Sequence, residues 1–307
     1  MKYALEIQGL VKKYGKFNAL NGLNMTIPVG SIFGLVGANG AGKTTFMSIC
    51  SGLVKPTTGR IDILERGPFD IDVHSGLVTI LPQDSGLPHY TKVEAILQYY
   101  GRLAGLSSRE ALRASHAALD AVNLYDRRKS LIRSLSHGML RRLTVAQAFL
   151  GDPQLIFLDE PMSGLDPREV YNLREFIRSH RGKKTIVVSS HILSELQQFC
   201  DHVAFMKTGR LMEQAPLEDI LSRGLTLRYQ LSPSSPDPNV DKLTQNFQAY
   251  RIEFHSSNRQ LILTADGAGT AADINKMFIP ALLNTGVRLD QVLLGSDLET
   301  EYLEASG

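Results

Sequence analysis

The run Gly37-Ala38-Asn39-Gly40-Ala41-Gly42-Lys43-Thr44 leaves this chain few folds to choose from. Its spacing, G-x-x-x-x-G-K-S/T, is the Walker A pattern of a phosphate-binding loop. Backbone N–H groups wrap a triphosphate only where side chains stay clear. Gly37, Gly40 and Gly42, with the small Ala38 and Ala41, provide that clearance. Lys43 adds a point charge for the β- and γ-phosphates, and the Thr44 hydroxyl suits Mg²⁺. The flanks agree with the loop. Residues 31–36 read as a buried strand, and the segment from Thr45 to Ile49 as the start of a helix whose positive end faces the anion. An idle glycine-rich turn needs no such strand–loop–helix setting. The expected nucleotide contacts therefore run through Gly37, Ala38, Asn39, Gly40, Ala41, Gly42, Lys43, Thr44 and Thr45, in an α/β chain that binds a nucleoside triphosphate.

At 307 residues, 43% hydrophobic and 21% charged, the chain has the composition of a soluble globular protein with length for two domains. A net charge of +2 argues against nucleic acid as the main partner. Residues 225–307 hold 6 Lys+Arg and 10 Asp+Glu, so the acidic excess lies at the end of the chain. The mildly basic front suits nucleotide binding or a seat near an anionic membrane, and a plain solvated surface explains it equally. Cys50 and Cys200 have no metal-ligand spacing and sit in apolar helical contexts, as core thiols of a reducing compartment do. Residues 1–6 lack a signal-peptide core, and no stretch approaches the ~20 apolar residues that span a bilayer. The build is cytoplasmic, so any membrane role comes through a partner.

Apolar alternation at Tyr3, Leu5 and Ile7, and again at Leu23, Met25 and Ile27, predicts strands with turns near Gly15 and Gly30. Further strands are expected at 60–64, 77–81, 155–158 and 185–189, the last two bounded by helices. That alternation implies a mostly parallel sheet covered on both faces. Residues 91–150 are mostly helical; Ser107 to Glu110 reads as a capping box, with Ala111, Leu112, Ala118, Leu119 and Val122 as the apolar stripe behind it. Phe205, Met206 and Met212 read as core. The composition shifts near residue 212, and the order strand, helix, hairpin, helix, strand over 225–294 predicts a small ferredoxin-like domain. A last helix is expected from Leu298 to Ala305. The expected division is a nucleotide-binding domain over 1–222, with a helical subdomain at about 87–150, and an accessory domain over 223–307.

Leu155-Ile156-Phe157-Leu158-Asp159-Glu160 is an apolar strand ending in two carboxylates. Ligands collect at the carboxyl ends of parallel strands, where the glycine-rich loop also lies. Asp159 is then placed to hold Mg²⁺, and Glu160 to polarise the water that attacks the γ-phosphate. An acidic helix cap would be the plainer reading of a lone Asp.

With these elements in order over residues 1–212, the chain resembles the ATP-binding subunit of an ABC transporter. Leu135-Ser136-His137-Gly138-Met139 stands where that family carries its Leu-Ser-Gly-Gly-Gln signature, with His137 for the first glycine and Met139 for glutamine. This variant, and the ending Leu298-Glu299-Thr300-Glu301-Tyr302-Leu303, resemble subunits that serve ABC-2-type exporters. The resemblance implies a P-loop ATPase fold with antiparallel N-terminal strands, a helical subdomain and a small C-terminal α+β domain. It further implies that Tyr14 stacks on adenine, that Gln83 touches Mg²⁺ and the attacking water, that Ser163 to Asp166 crosses a dimer interface, and that His191 contacts the γ-phosphate beside Glu160. ATP and Mg²⁺ are the implied cofactors. The implied partners are a second copy, or a paralogous ATPase subunit, and a transmembrane permease at the cytoplasmic face of the cell membrane. Ser136 and Gly138 of one subunit would then close the site of the other. Driving a mechanical or signalling task at the membrane stays open as an alternative. A soluble ATPase of translation or DNA repair fits less well, because the chain has one cassette, no long coiled-coil insertion and no basic patch.

Overall fold

Period-two alternation builds the first element pair, β1 (Tyr3–Tyr14) and β2 (Phe17–Pro28), which pair antiparallel. The computed structural model describes residues 2–84, 86–222, 225–265 and 271–295. Leu5, Ile7 and Leu10 of β1 and Leu23, Met25 and Ile27 of β2 are buried, so the hairpin gives one face to the core. β3 (Ile32–Val36), buried at every position, enters the glycine-rich loop, and α1 (Lys43–Cys50) leaves it. β4 (Thr58–Ile63) adds to the hairpin on the β1 side, giving a three-stranded sheet β2-β1-β4.

After α2 (Ile71–His74) and β5 (Val78–Leu81) comes the helical layer: α3 (Val93–Leu103), α4 (Ser108–Ala121) and α5 (His137–Ala148). β6 (Leu155–Leu158), α6 (Pro167–Arg178), β7 (Thr185–Ser190), α7 (Leu193–Leu196), β8 (His202–Lys207) and β9 (Arg210–Pro216) follow. The second sheet has the order β5-β6-β7-β3-β8-β9, with β5, β6, β7, β3 and β8 mutually parallel. Burial on both faces explains why β3, β6 and β7 are near-continuous apolar runs. Parallel pairing also puts the carboxyl ends of β3, β5, β6 and β7 on one edge, so the segments carrying Gly37, Gln83, Asp159 and His191 converge.

The helical layer has its own apolar cluster, including Val93, Ile96, Leu97, Leu119, Val122, Ile132 and Leu143. The capping box is present. Ser107 Oγ accepts the Glu110 N–H at 3.4 Å, and Glu110 Oε2 accepts the Ser107 N–H at 2.9 Å. Those bonds hold the Glu110 carboxyl below its ordinary range. Leu112 departs from the expected stripe and is 40% exposed, whereas Ala111, Ser115 and Leu119 are buried. The inward line runs at i, i+4 and i+8, and Leu112 sits about 100° round from it. Met212 departs as well. It is 59% exposed on β9, the edge of the sheet, while Phe205 and Met206 on β8 are buried as expected.

The chain divides into two compact units, Met1–Ala215 and Pro216–Gly307. The second holds α8 (Leu217–Ser222), β10 (Leu225–Leu231), α9 (Val240–Asn246), β11 (Tyr250–His255), β12 (Gln260–Ala265), α10 (Ala271–Leu283) and β13 (Leu289–Gly295). Its sheet is antiparallel in the order β11-β12-β10-β13. Leu227, Tyr229, Leu261 and Leu263 pack with Leu243, Ile274 and Phe278 in a separate core. The Tyr229 hydroxyl donates to Asn275 Oδ1 at 2.8 Å, and burial raises its pKa. The helix expected at Leu298–Ala305 lies outside the described residues. Among the described residues no helix is long and apolar enough to cross a membrane.

Two outcomes check these assignments. Replacing Ser107 by Ala should lower unfolding stability by about 1 kcal/mol in urea titration, the usual loss of a helix cap. Cys50 and Cys200 are buried, and burial raises both thiol pKa values. A thiol reagent should therefore find neither in the native protein and both in denaturant.

Candidate functional site

The glycine-rich loop is shaped by what surrounds it. A Cβ on Gly37 would lie 2.6 Å from the Met206 carbonyl oxygen and 2.9 Å from the Ala41 Cβ. Gly42, the N-cap of α1, has φ of +102°, which glycine alone adopts without strain. The loop walls a cavity of about 410 Å³ lined by Ala38, Asn39, Gly40, Ala41, Gly42, Lys43, Thr44 and Thr45, with Phe17, Ala19, Gln83, Asp159 and Glu160. Gly37 is not among the lining residues; its carbonyl accepts the Lys43 ammonium at 2.5 Å.

Charge in the cavity is held by specific partners. Lys43 is buried, and its Nζ lies 3.3 Å from Glu160 Oε1. The Thr44 hydroxyl donates to Asp159 Oδ2 at 2.6 Å, and the Ser189 hydroxyl to Asp159 Oδ1 at 2.5 Å. Ser189 Oγ also accepts the Glu160 N–H at 2.8 Å. Glu160 has φ of +47°, a left-handed backbone that costs a side-chain-bearing residue about 1–2 kcal/mol. Its Oε2 lies 3.0 Å from His191 Nδ1, while its buried Oε1 receives no hydrogen bond.

The signature segment sits apart from this cluster. Ser136 caps α5, its hydroxyl accepting the Met139 N–H at 3.2 Å, and Gly138 lies in the first turn. Neither lines the cavity. His137 packs on Gly164, where a Cβ would come within 3.1 Å of the imidazole Cε1, so the glycine makes room for the ring. The Asp166 carboxylate caps α6 by accepting the Glu169 N–H. Tyr14 is paired across the hairpin with Phe17 and exposed, with the Lys12 ammonium 4.8 Å from its ring centre. Phe17, not Tyr14, contributes to the cavity wall.

Three residues at the site carried no functional assignment from sequence. Phe17 looks like any exposed strand residue, and its place at the cavity follows from the hairpin register. Ser189 ends a buried strand, and a buried hydroxyl demands a partner, which was the available signal. Arg141 lies beside Arg142 in a helix whose residues 141–146 are all buried, and two consecutive arginines there signal buried pairing.

The pattern described as ABC transporter matches residues 20–163. The bacitracin transport ATP-binding protein BcrA of Bacillus licheniformis is 31% identical over 98% of this chain and 96% of its own length. The chain belongs to the ABC transporter family. This ABC ATPase is also 35% identical to a Nod factor export ATP-binding protein of Rhizobium johnstonii, over 67% of each chain. Among solved structures, cbiO1 from Clostridium perfringens, part of an ABC transporter complex, matches with a TM-score of 0.65 and 26% identity over 72% of this chain and 91% of its own. A dimeric ATP-binding cassette bound to ADP and phosphate shares the fold at a TM-score of 0.63 and 21% identity, over 69% of this chain and 98% of its own. The present chain is thus an ATP-binding, ATP-hydrolysing subunit of the exporter type, built on the P-loop α/β fold.

Replacing Gly37 by Ala should weaken nucleotide binding about 10–100-fold, since the added methyl has nowhere to go. Equilibrium titration with a fluorescent ATP analogue measures this.

Proposed function

We propose that the cavity is one half of a shared site, in which Glu160 is the general base and the signature of a second ATPase subunit supplies the other half. The observation that supports this is a division of labour. The glycine-rich loop and the carboxylates of Asp159 and Glu160 face one cavity, whereas Ser136 and Gly138 at the start of α5 line none of it. A helix N-terminus favours an anion, so α5 is suited to the γ-phosphate held by a partner subunit. In this reading Lys43 holds the β- and γ-phosphates, backbone N–H groups from Ala38 to Thr45 wrap them, and Tyr14 stacks on adenine. In this reading the Oε1 of Glu160, buried and 3.3 Å from the Lys43 ammonium, accepts a proton from water once Lys43 turns to the phosphates. His191 and Gln83 orient that water and the γ-phosphate.

Thr44 and Asp159 are a pair of hard oxygen donors already in contact. Among the described residues no group of three or more His, Cys, Asp or Glu forms a metal cage. One hydroxyl and one carboxylate, with the phosphates completing the shell, is the donor set Mg²⁺ prefers. We assign Thr44, Asp159 and Gln83 to that ion, which would supply charge neutralisation on the phosphates.

The ATPase pair drives a polytopic exporter from the cytoplasmic face. A short helix of the permease docks between Gln83 and residues 87–130, a segment in which Tyr90, Tyr99 and Leu103 are exposed. The permease selects the cargo. The unit after Ala215, with the order β-α-β-β-α-β over β10 to β13, is a ferredoxin-like accessory domain following the ATPase domain.

Glu160→Gln should keep ATP affinity, cut turnover about 10²–10⁴-fold and accumulate an ATP-bound dimer. Turnover assays and gel filtration with ATP read both effects. Turnover within about twofold of the unmodified protein would remove Glu160 from the role, and a persistent monomer would remove the shared site.

A further inference from the structure

Arg141 is only 9% exposed, and each of its three guanidinium nitrogens donates to backbone. Nε donates to the Pro161 carbonyl at 3.0 Å, and Nη1 to the Gln83 carbonyl at 3.4 Å. Nη2 donates to the carbonyls of Asp159 at 3.0 Å and Glu160 at 2.6 Å. Burial lowers its pKa, while Asp159, Glu160 and Asp84 favour its charge. The neighbouring Arg142 turns the other way, to Glu169 and the Val122 carbonyl, tying α5 to α6 and to the end of α4.

A buried arginine that merely tied α5 to the sheet would need no particular target. Here the target is the one residue of the catalytic segment in a left-handed backbone. The N–H of Glu160 is held by Ser189 and its carbonyl by Arg141, from two different elements. A strained conformation persists only where surroundings over-determine it, and it then sets a side chain's direction. The same guanidinium reaches Gln83, so it fixes the two segments that flank the γ-phosphate position.

We propose that Arg141 is the positioning residue of the hydrolytic centre: it sets the backbone of Glu160 and Gln83, and transmits to them any displacement of the signature end of α5. Arg141 follows Ser136 by five residues in one rigid helix, a rise of about 7.5 Å. Engagement of Ser136 and Gly138 by one nucleotide is thereby felt at the base that serves the other. The proposal rests on the reading of Glu160 as general base.

The test uses the full-length protein with Arg141→Lys and Arg141→Met, alone and combined with Glu160→Gln. Turnover and KM for ATP, binding of a fluorescent ATP analogue and thermal unfolding are measured on each. Arg141→Lys keeps the buried charge, and it carries the test where Arg141→Met fails to fold. The expected result is a kcat lower by about 10–100-fold, the scale of a misplaced catalytic group, with KM and nucleotide affinity within about threefold. In the Glu160→Gln background Arg141→Lys should cost nothing further, because the group it positions is already disabled. Unchanged kcat, or a kcat loss matched by lost affinity, would overturn the proposal, as would a full additional loss in the double variant. If Glu160→Gln retains turnover, the base assignment falls and takes this role with it. If Glu160→Gln is inactive and Arg141→Lys is fully active, Arg141 alone falls.

Discussion

A buried ammonium facing a buried carboxylate, Lys43 and Glu160 at 3.3 Å, organises this molecule. Two charges out of water are tolerable only when paired and when their remaining valences find partners. Lys43 meets this condition with the Gly37 and Ala38 carbonyls. Glu160 meets it with Lys43 on one oxygen and His191 on the other. The glycine-rich loop, the end of β6 and the end of β7 must therefore meet at one point. The parallel order of β5, β6, β7 and β3 is the arrangement that brings them there.

The same economy of buried charge governs α5. Its two arginines face opposite directions, Arg141 toward the segment 159–161 and Arg142 toward Glu169. The helix that presents the signature is consequently tied at one point to the segment 159–161 and at another to α6, whose cap Asp166 belongs to the loop expected at a subunit interface. His137, the departure from the usual signature, rests on Gly164 of that loop. A bulkier signature residue is matched by an absent side chain opposite.

Much of the site was legible in the chain because its requirements are local. The loop from Gly37 to Thr44 demands clearance and φ values that glycine supplies, and these demands leave a fixed spacing. Ser107 and Glu110 satisfy each other across three residues, so their box could be read directly. Leu112 and Met212, apolar in sequence and expected inside, are exposed. Apolar character says that a residue tolerates burial, whereas the direction of the helix stripe and the position of an edge strand decide whether burial occurs.

By itself, the sequence determined the phosphate loop, the strand–helix alternation that implies a parallel sheet, the carboxylate pair Asp159-Glu160 and the order of elements in the C-terminal unit. Each follows from backbone geometry or periodicity within a few residues. The tertiary structure alone decided that Phe17 walls the cavity, that Ser189 bridges Asp159 and Glu160, and that Arg141 grips the carbonyls of residues 83 and 159–161. Arg141 and Gln83 alone are separated by 58 positions along the chain. A hydrogen-bonding group in the sequence announces that it needs a partner, and only the packing of distant elements determines which partner it meets.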